Sequence, residues 1–129
     1  MRYTIRQWPS GGVYPDEINR ECPEALEIID VFLMSMMEHG PSPPGYPKIK
    51  TLGQKHEGLW QANLKVARKQ VRILYAPYGN EIVLFRIHKK SSQPEQDRAY
   101  ELATKRKREY ERARKINEQT SHDGSRTLH

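Results

Sequence analysis

The clearest periodicity in the chain lies between Pro23 and Glu38, where Leu26, Ile29, Leu33 and Met36 recur at intervals of three and four. That spacing stacks apolar side chains along one stripe of a helix. Pro23 suits the first helical turn, where its missing N–H leaves no bond unmade. Glu24 and Glu27 sit near the positive end of the helix dipole and His39 near the negative end, and Gly40-Pro41 stops the helix. Met34, Met36 and Met37 crowd its last turns, which fits a core or a partner surface better than a cofactor site. Upstream, Tyr3–Trp8 alternates weakly and predicts an edge strand, followed by a turn over Pro9–Gly12. Downstream, Pro41–Pro47 is a rigid proline-rich loop.

Three segments of strand length come next: Leu59–Val66, Gln70–Ala76 and Glu81–His88. Ala67–Lys69 joins the first pair. Pro77-Tyr-Gly-Asn80 joins the second, with Gly and Asn able to take positive φ. The last segment is apolar at consecutive positions, Ile82 to Phe85 and Ile87, and predicts a strand buried on both faces. In the middle one, Val71, Ile73 and Tyr75 share one face and Arg72 and Leu74 the other. Ser92-Gln93-Pro94-Glu95 reads as a capping box that opens a final helix. Ala99, Leu102, Ala103, Tyr110 and Ala113 give that helix an apolar stripe. The chain thus reads as one domain over residues 1–116. Asn117–His129 is polar and unpatterned and predicts a disordered tail. No internal repeat is visible.

Composition sharpens this picture in two ways. The 129 residues carry 22 Lys and Arg against 16 Asp and Glu, a formal net charge of +6. The charge is uneven: residues 1–47 hold three basic and seven acidic side chains, a net of −4, and the remainder carries +10. A polyanion would meet the second half and a basic partner the first. The single cysteine, Cys22, excludes an internal disulfide and a Cys-rich zinc site, and fits a reducing compartment. Spanning a membrane takes roughly 18 or more apolar residues, and no stretch approaches that. With no apolar leader either, the reading is a soluble cytoplasmic protein.

Candidate chemistry is sparse. None of His39, His56, His88, His122 and His129 makes a metal-type spacing with another His or with Cys, so no metal or cofactor is expected. There is no Gly-rich phosphate loop, nucleophile elbow or recognisable triad. What remains is a set of cations on a small sheet. Arg72 lies mid-strand, Lys65 on the neighbouring strand, His56 in the loop before it, and His88-Lys89-Lys90 at a strand end. Singly, each has a plain explanation in a solvated face or a snorkelling stem. Together they place several positive charges and a titratable imidazole on one face, which suits RNA phosphate binding and stabilisation of a pentavalent phosphorane. On the last helix, Lys105, Arg106, Lys107 and Arg108, with Arg112, Arg114 and Lys115, form an expected positive ridge for RNA or, alternatively, for an acidic segment of a partner protein.

In order, the helix closing on His39-Gly40, Lys50-Thr-Leu, Gly58-Leu59-Trp60, Val71-Arg72-Ile73-Leu74-Tyr75, Ile87-His88-Lys89-Lys90-Ser91, Pro94 and Arg98-Ala99 resemble the RelE/ParE toxin superfamily. Within it they resemble the phage-derived, HigB-like branch. The similarity runs from about Arg2 to Tyr110. It implies an α+β fold, a small antiparallel sheet with helices packed on one face. It implies a type II toxin held by a cognate antitoxin and acting on ribosome-bound mRNA as a metal-independent endoribonuclease. The 2′-hydroxyl attacks the adjacent phosphate in such enzymes, and basic side chains stabilise the charge. By position, Arg72 matches the strand arginine that would bind the scissile phosphate, and Lys89 and Lys90 match the lysine pair. His88 is the expected proton-transfer group. The branch's Glu-x-Arg pair after the first strand aromatic is replaced here by Gln61 and Asn63, with Lys65 two residues on as a substitute charge. Two alternatives differ in class: a ParE-like toxin that inhibits gyrase through protein contacts, and a non-catalytic basic RNA-binding module of the same fold.

Overall fold

A computed structural model of the chain describes residues 2–45 and 47–116 in full, and beyond Ile116 only the backbone of the last helix. Five strands make one sheet in the order β1-β5-β4-β3-β2. They are β1 (Thr4–Gln7), β2 (Ile49–Thr51), β3 (Trp60–Val66), β4 (Lys69–Tyr78) and β5 (Glu81–Lys89). The helices are α1 (Asp16–Glu21), α2 (Leu26–His39) and α3 (Gln93–Leu128). The tail expected over Asn117–His129 lies outside the fully described residues.

β3, β4 and β5 form an antiparallel meander. Ala67 (φ +55°) turns the first hairpin, and Gly79 (φ +63°) the second, a conformation that glycine adopts without steric cost. The expected third strand is interior and buried on both faces: β5 lies between β1 and β4. A bulge pairs Leu74 with Arg86 but Tyr75 with Leu84, leaving Phe85 as the extra residue. The bulge lets Leu84 and Ile87 point to one face while Phe85 points to the other.

The α+β class is as expected, and two details differ. The sheet is mixed, because β1 runs parallel to β5. The helices occupy both faces. On one, α1 and α2 bury Ile18, Ile29, Phe32, Leu33 and Met36 against Val71, Ile73, Tyr75 and Ile87. On the other, α3 lays Ala103, Tyr100 and Tyr110 against Leu74, Ala76, Val83 and Phe85. Each fully buried Ile, Leu or Phe contributes roughly 1.5–3 kcal/mol. The helix read from Pro23 begins as a 3₁₀ turn, Pro23–Ala25, before α2 proper. α2 ends at Gly40 (φ +98°), where an added Cβ would come within 3.0 Å of the Tyr3 ring.

Sequence pattern did not reveal α1, and its role is unusual. β1 pairs with β5 only as far as Leu84, which leaves the rest of that β5 edge without a strand. α1 takes the strand's place. The Ile87 N–H donates to Glu17 Oε1 at 2.8 Å and the Lys89 N–H to Glu21 Oε1 at 3.2 Å. Alternate strand N–H groups and carboxylates one helical turn apart have closely matched spacings, each near 6–7 Å. No helix among the described residues is long and apolar enough to cross a membrane.

Candidate functional site

Register fixes which side chains share the α3 face. Asn63 lies directly opposite Arg72, Lys65 opposite Gln70, and Arg72 opposite His88. With side chains alternating along each strand, Gln61, Asn63, Lys65, Gln70, Arg72 and His88 all project to that face. The expected grouping of Arg72, His88 and Lys65 is therefore present on the backbone. α3 then runs across it and divides it.

On the β3 flank, Arg72 Nη1 donates to Gln96 Oε1 and lies 3.3 Å from the Tyr100 hydroxyl. That hydroxyl donates in turn to Gln61 Oε1 at 2.7 Å. The His56 ring stacks on Tyr100 with centroids 4.4 Å apart. Asn63 donates to Gln70 at 3.3 Å. Every partner in this network is neutral. Arg72 makes no ion pair among the described residues, and its Nε is buried without a hydrogen bond. A half-buried guanidinium with only neutral neighbours is an incomplete electrostatic arrangement that an anion would complete. His56 is half-exposed, and its pKa is held below the usual 6.5 by burial first and Lys55 second, which favours a neutral imidazole near pH 7.

His88 is placed differently from expectation. Its residue is only 3% exposed, and Nε2 has no partner. Burial first, then the charge of Arg86, pushes its pKa down to about 4. This favours a neutral side chain near pH 7, and its ring stands edge-on to Tyr100 with centroids 6.5 Å apart. The strand end expected to be solvated is instead roofed by the first turns of α3. His88 and half-buried Lys89 open instead on the α1 flank, into a cleft of about 270 Å³. Lys90 and Lys65 are exposed.

The helix ridge also differs. Four consecutive helical positions point around the axis, so they cannot form one free face. Arg106 turns inward, donating to Glu17 Oε2 at 2.8 Å and to the Phe85 carbonyl at 2.7 Å. Lys107 lies over the Tyr78 ring, 5.7 Å from its centroid, and pairs with Glu111 at 2.7 Å. Arg108 is clasped through two nitrogens by Glu57, whose carboxyl it holds below the ordinary range. Lys105 is exposed.

Several residues that build the site were not anticipated. Gln96 and Tyr100 carry the Arg72 network, and Glu17 and Arg86 anchor α3's other side. Gln96 and Tyr100 sit one turn apart and interleave with Ala99 and Ala103, so the apolar stripe already marked them as facing the sheet. Glu17 and Glu21 repeat at helical spacing, but nothing local indicates a strand edge as their target.

Comparisons with known proteins bear on the fold. No protein-family model matches the chain, and no curated protein matches it. Among solved structures, a chain of the YoeB–YefM complex from Staphylococcus aureus superposes with a TM-score of 0.50 at 17% identity. The alignment covers 70% of this chain and 100% of that one. The two share a RelE-like α+β fold.

Proposed function

We propose that this protein is the toxin of a toxin–antitoxin pair and that it cuts ribosome-bound mRNA at Arg72. The observation that carries the reading is the uncompensated Arg72 guanidinium, held by neutral Gln96 and Tyr100 on the face of a RelE-like sheet. The motif order of the HigB-like branch supports the same reading. Arg72 binds the scissile phosphate and stabilises the charge that builds on it, the kind of fixed electrostatic contact that contributes most to such reactions. His56, neutral and half-exposed, takes the 2′-hydroxyl proton as the 2′-oxygen attacks phosphorus. The bond from phosphorus to the 5′-oxygen breaks, leaving a 2′,3′-cyclic phosphate, and the departing 5′-oxygen takes a proton from water. Gln61 and Asn63 supply no carboxylate, so the imidazole is the base on this flank. Exposed Lys65 and Lys90 extend the contact to neighbouring phosphates. The antitoxin is the partner that keeps this face from RNA.

A second reading is favoured by the same neutral pair. With Gln61 and Asn63 on β3 and Arg72 tied to α3, the fold can bind RNA without cutting it. Primer extension on mRNA recovered from a translation reaction separates the two. New 5′ ends at codon boundaries, absent with Arg72→Ala, support cleavage. Intact mRNA with retained ribosome binding supports the binding module. Intact mRNA with lost gyrase supercoiling overturns both in favour of a ParE-like inhibitor.

A further inference from the structure

We propose that the cleft between α1, the end of β5 and the first turns of α3 is a ribonucleotide pocket, in which Arg98 and Lys89 hold a phosphate and His88 bonds the neighbouring ribose 2′-hydroxyl. The pocket is separate from the Arg72 network, on the opposite flank of α3, and its occupancy requires no cleavage. Its walls include Glu21, Arg86, His88, Lys89, Ser91 and Arg98. At about 270 Å³ it falls just under the roughly 300–1,000 Å³ of sites that engulf drug-sized molecules, the scale of a single nucleotide unit rather than a length of strand.

Three observations select the ligand. The first is His88, 3% exposed, lining the cleft with Nε2 unbonded. A buried polar nitrogen left without a partner is costly and calls for one. A neutral imidazole presents either a donor or an acceptor at that nitrogen, and a hydroxyl satisfies both forms. The second is the state of the surrounding charges. Arg86 pairs with Glu17 and Glu21 through its Nη atoms, leaving Nε unbonded, and Glu21 also caps the Lys89 N–H. Arg98 and Lys89 are in no ion pair among the described residues. With the Ser91 hydroxyl beside them they form a phosphate-binding set. The third is the positive end of α3, whose first turn borders the cleft and favours an anion there. Exposed Glu95 on the same turn also lines the cleft, whose three cations, Arg86, Lys89 and Arg98, outnumber its two carboxylates, Glu21 and Glu95. A phosphate and a hydroxyl on adjacent atoms of one small ligand describe a ribonucleotide, free or as one residue of an RNA strand.

The test is an NMR titration of the full chain with uridine 3′-monophosphate, following the His88 imidazole. The expected result is a saturable shift at His88. Binding weakens by about tenfold or more in Arg98→Ala, the size expected for losing a hydrogen bond to a charged group. Affinity for 2′-deoxyuridine 3′-monophosphate and for inorganic phosphate is weaker than for the ribonucleotide, and Arg72→Ala leaves binding unchanged. A short oligoribonucleotide that binds more tightly than the mononucleotide identifies a strand residue as the occupant, and the reverse order identifies the free nucleotide. No saturable shift, a shift confined to His56, or undiminished binding in Arg98→Ala overturns the proposal. So does equal affinity for inorganic phosphate. Lost binding beside intact mRNA cleavage rejects this pocket alone, and lost cleavage beside intact binding rejects the Arg72 reading alone.

Discussion

Replacing Glu17 with alanine should be the most damaging single change on the polar side of this fold. The carboxylate is 1% exposed and joins three elements. Oε1 accepts the Ile87 N–H at 2.8 Å, and Oε2 pairs with Arg86 at 3.1 Å and Arg106 at 2.8 Å. Both arginines are largely buried, at 16% and 14% exposure. The alanine variant leaves the Arg106 guanidinium without a carboxylate, Arg86 with only its longer contact to Glu21 at 3.8 Å, and a strand N–H without an acceptor. Breaking a buried pair from one side costs about 3–5 kcal/mol, mostly from the charge left behind. That is a large part of the roughly 5–15 kcal/mol that holds a domain of ordinary stability. Urea denaturation followed by circular dichroism measures it. With a slope of about 1–3 kcal/mol per molar, the midpoint should fall by on the order of 2 M. A double-mutant cycle with Arg106→Ala should show strong coupling. The same cycle with Arg20, 68% exposed and 3.7 Å away, should give about 0–0.5 kcal/mol. A loss for Glu17→Ala below about 1 kcal/mol, or equal coupling to Arg20 and Arg106, would refute the buried hub.

Three further outcomes are expected. Arg72→Ala should abolish mRNA cleavage while moving the urea midpoint little, because its partners Gln96 and Tyr100 keep their bonds to the Ser91 carbonyl and Gln61; a variant that still cuts, or that unfolds, contradicts the assignment. His88, with its folded pKa lowered to about 4, takes up protons more readily when unfolded. Stability should therefore fall as pH drops from about 6.5 towards 4, by at most about 3 kcal/mol, and His88→Asn should flatten that slope in denaturant melts over this window. Neutralising Lys105, Lys107 and Arg108 together should reduce the salt slope of ribosome binding by less than three phosphate contacts would, each being worth roughly 0.7–0.9, because Lys107 and Arg108 are already paired; a full three-contact loss would return them to the RNA face.

Strands were the most legible part of the chain. Alternation and the Gly79-Asn80 turn located β3, β4 and β5 to within two residues, and consecutive apolar positions marked β5 as interior. α1 and β2 escaped because each is short, six and three residues, and too brief to show a period. Strand alternation also put Arg72 on the face opposite Val71 and Ile73. The covering of that face was not legible, since an Arg among Gln and Asn reads as solvated whether or not a helix lies above it. His88 illustrates the same limit: its burial comes from α3, a different element. The basic run on α3 misled for the reverse reason. Composition counts charges, while helical geometry sends Arg106 inward to a carboxylate 89 positions away in the chain.

The substitution of α1 for a strand on the β5 edge also has a kinetic side. The meander β3–β4–β5 closes through tight local turns and can form early. The Glu17 contact to Ile87 spans 70 positions, and the parallel pairing of β1 with β5 is of similar reach. Such pairings carry a loop-closure cost before they return any stability, and they slow folding. Until α1 arrives, the meander presents a bare row of β5 N–H and C=O groups, the kind of edge on which chains aggregate. The order of events on refolding should therefore be meander first and α1 last. Glu17, which seats α1, would govern how long that vulnerable interval lasts more than how fast the meander appears.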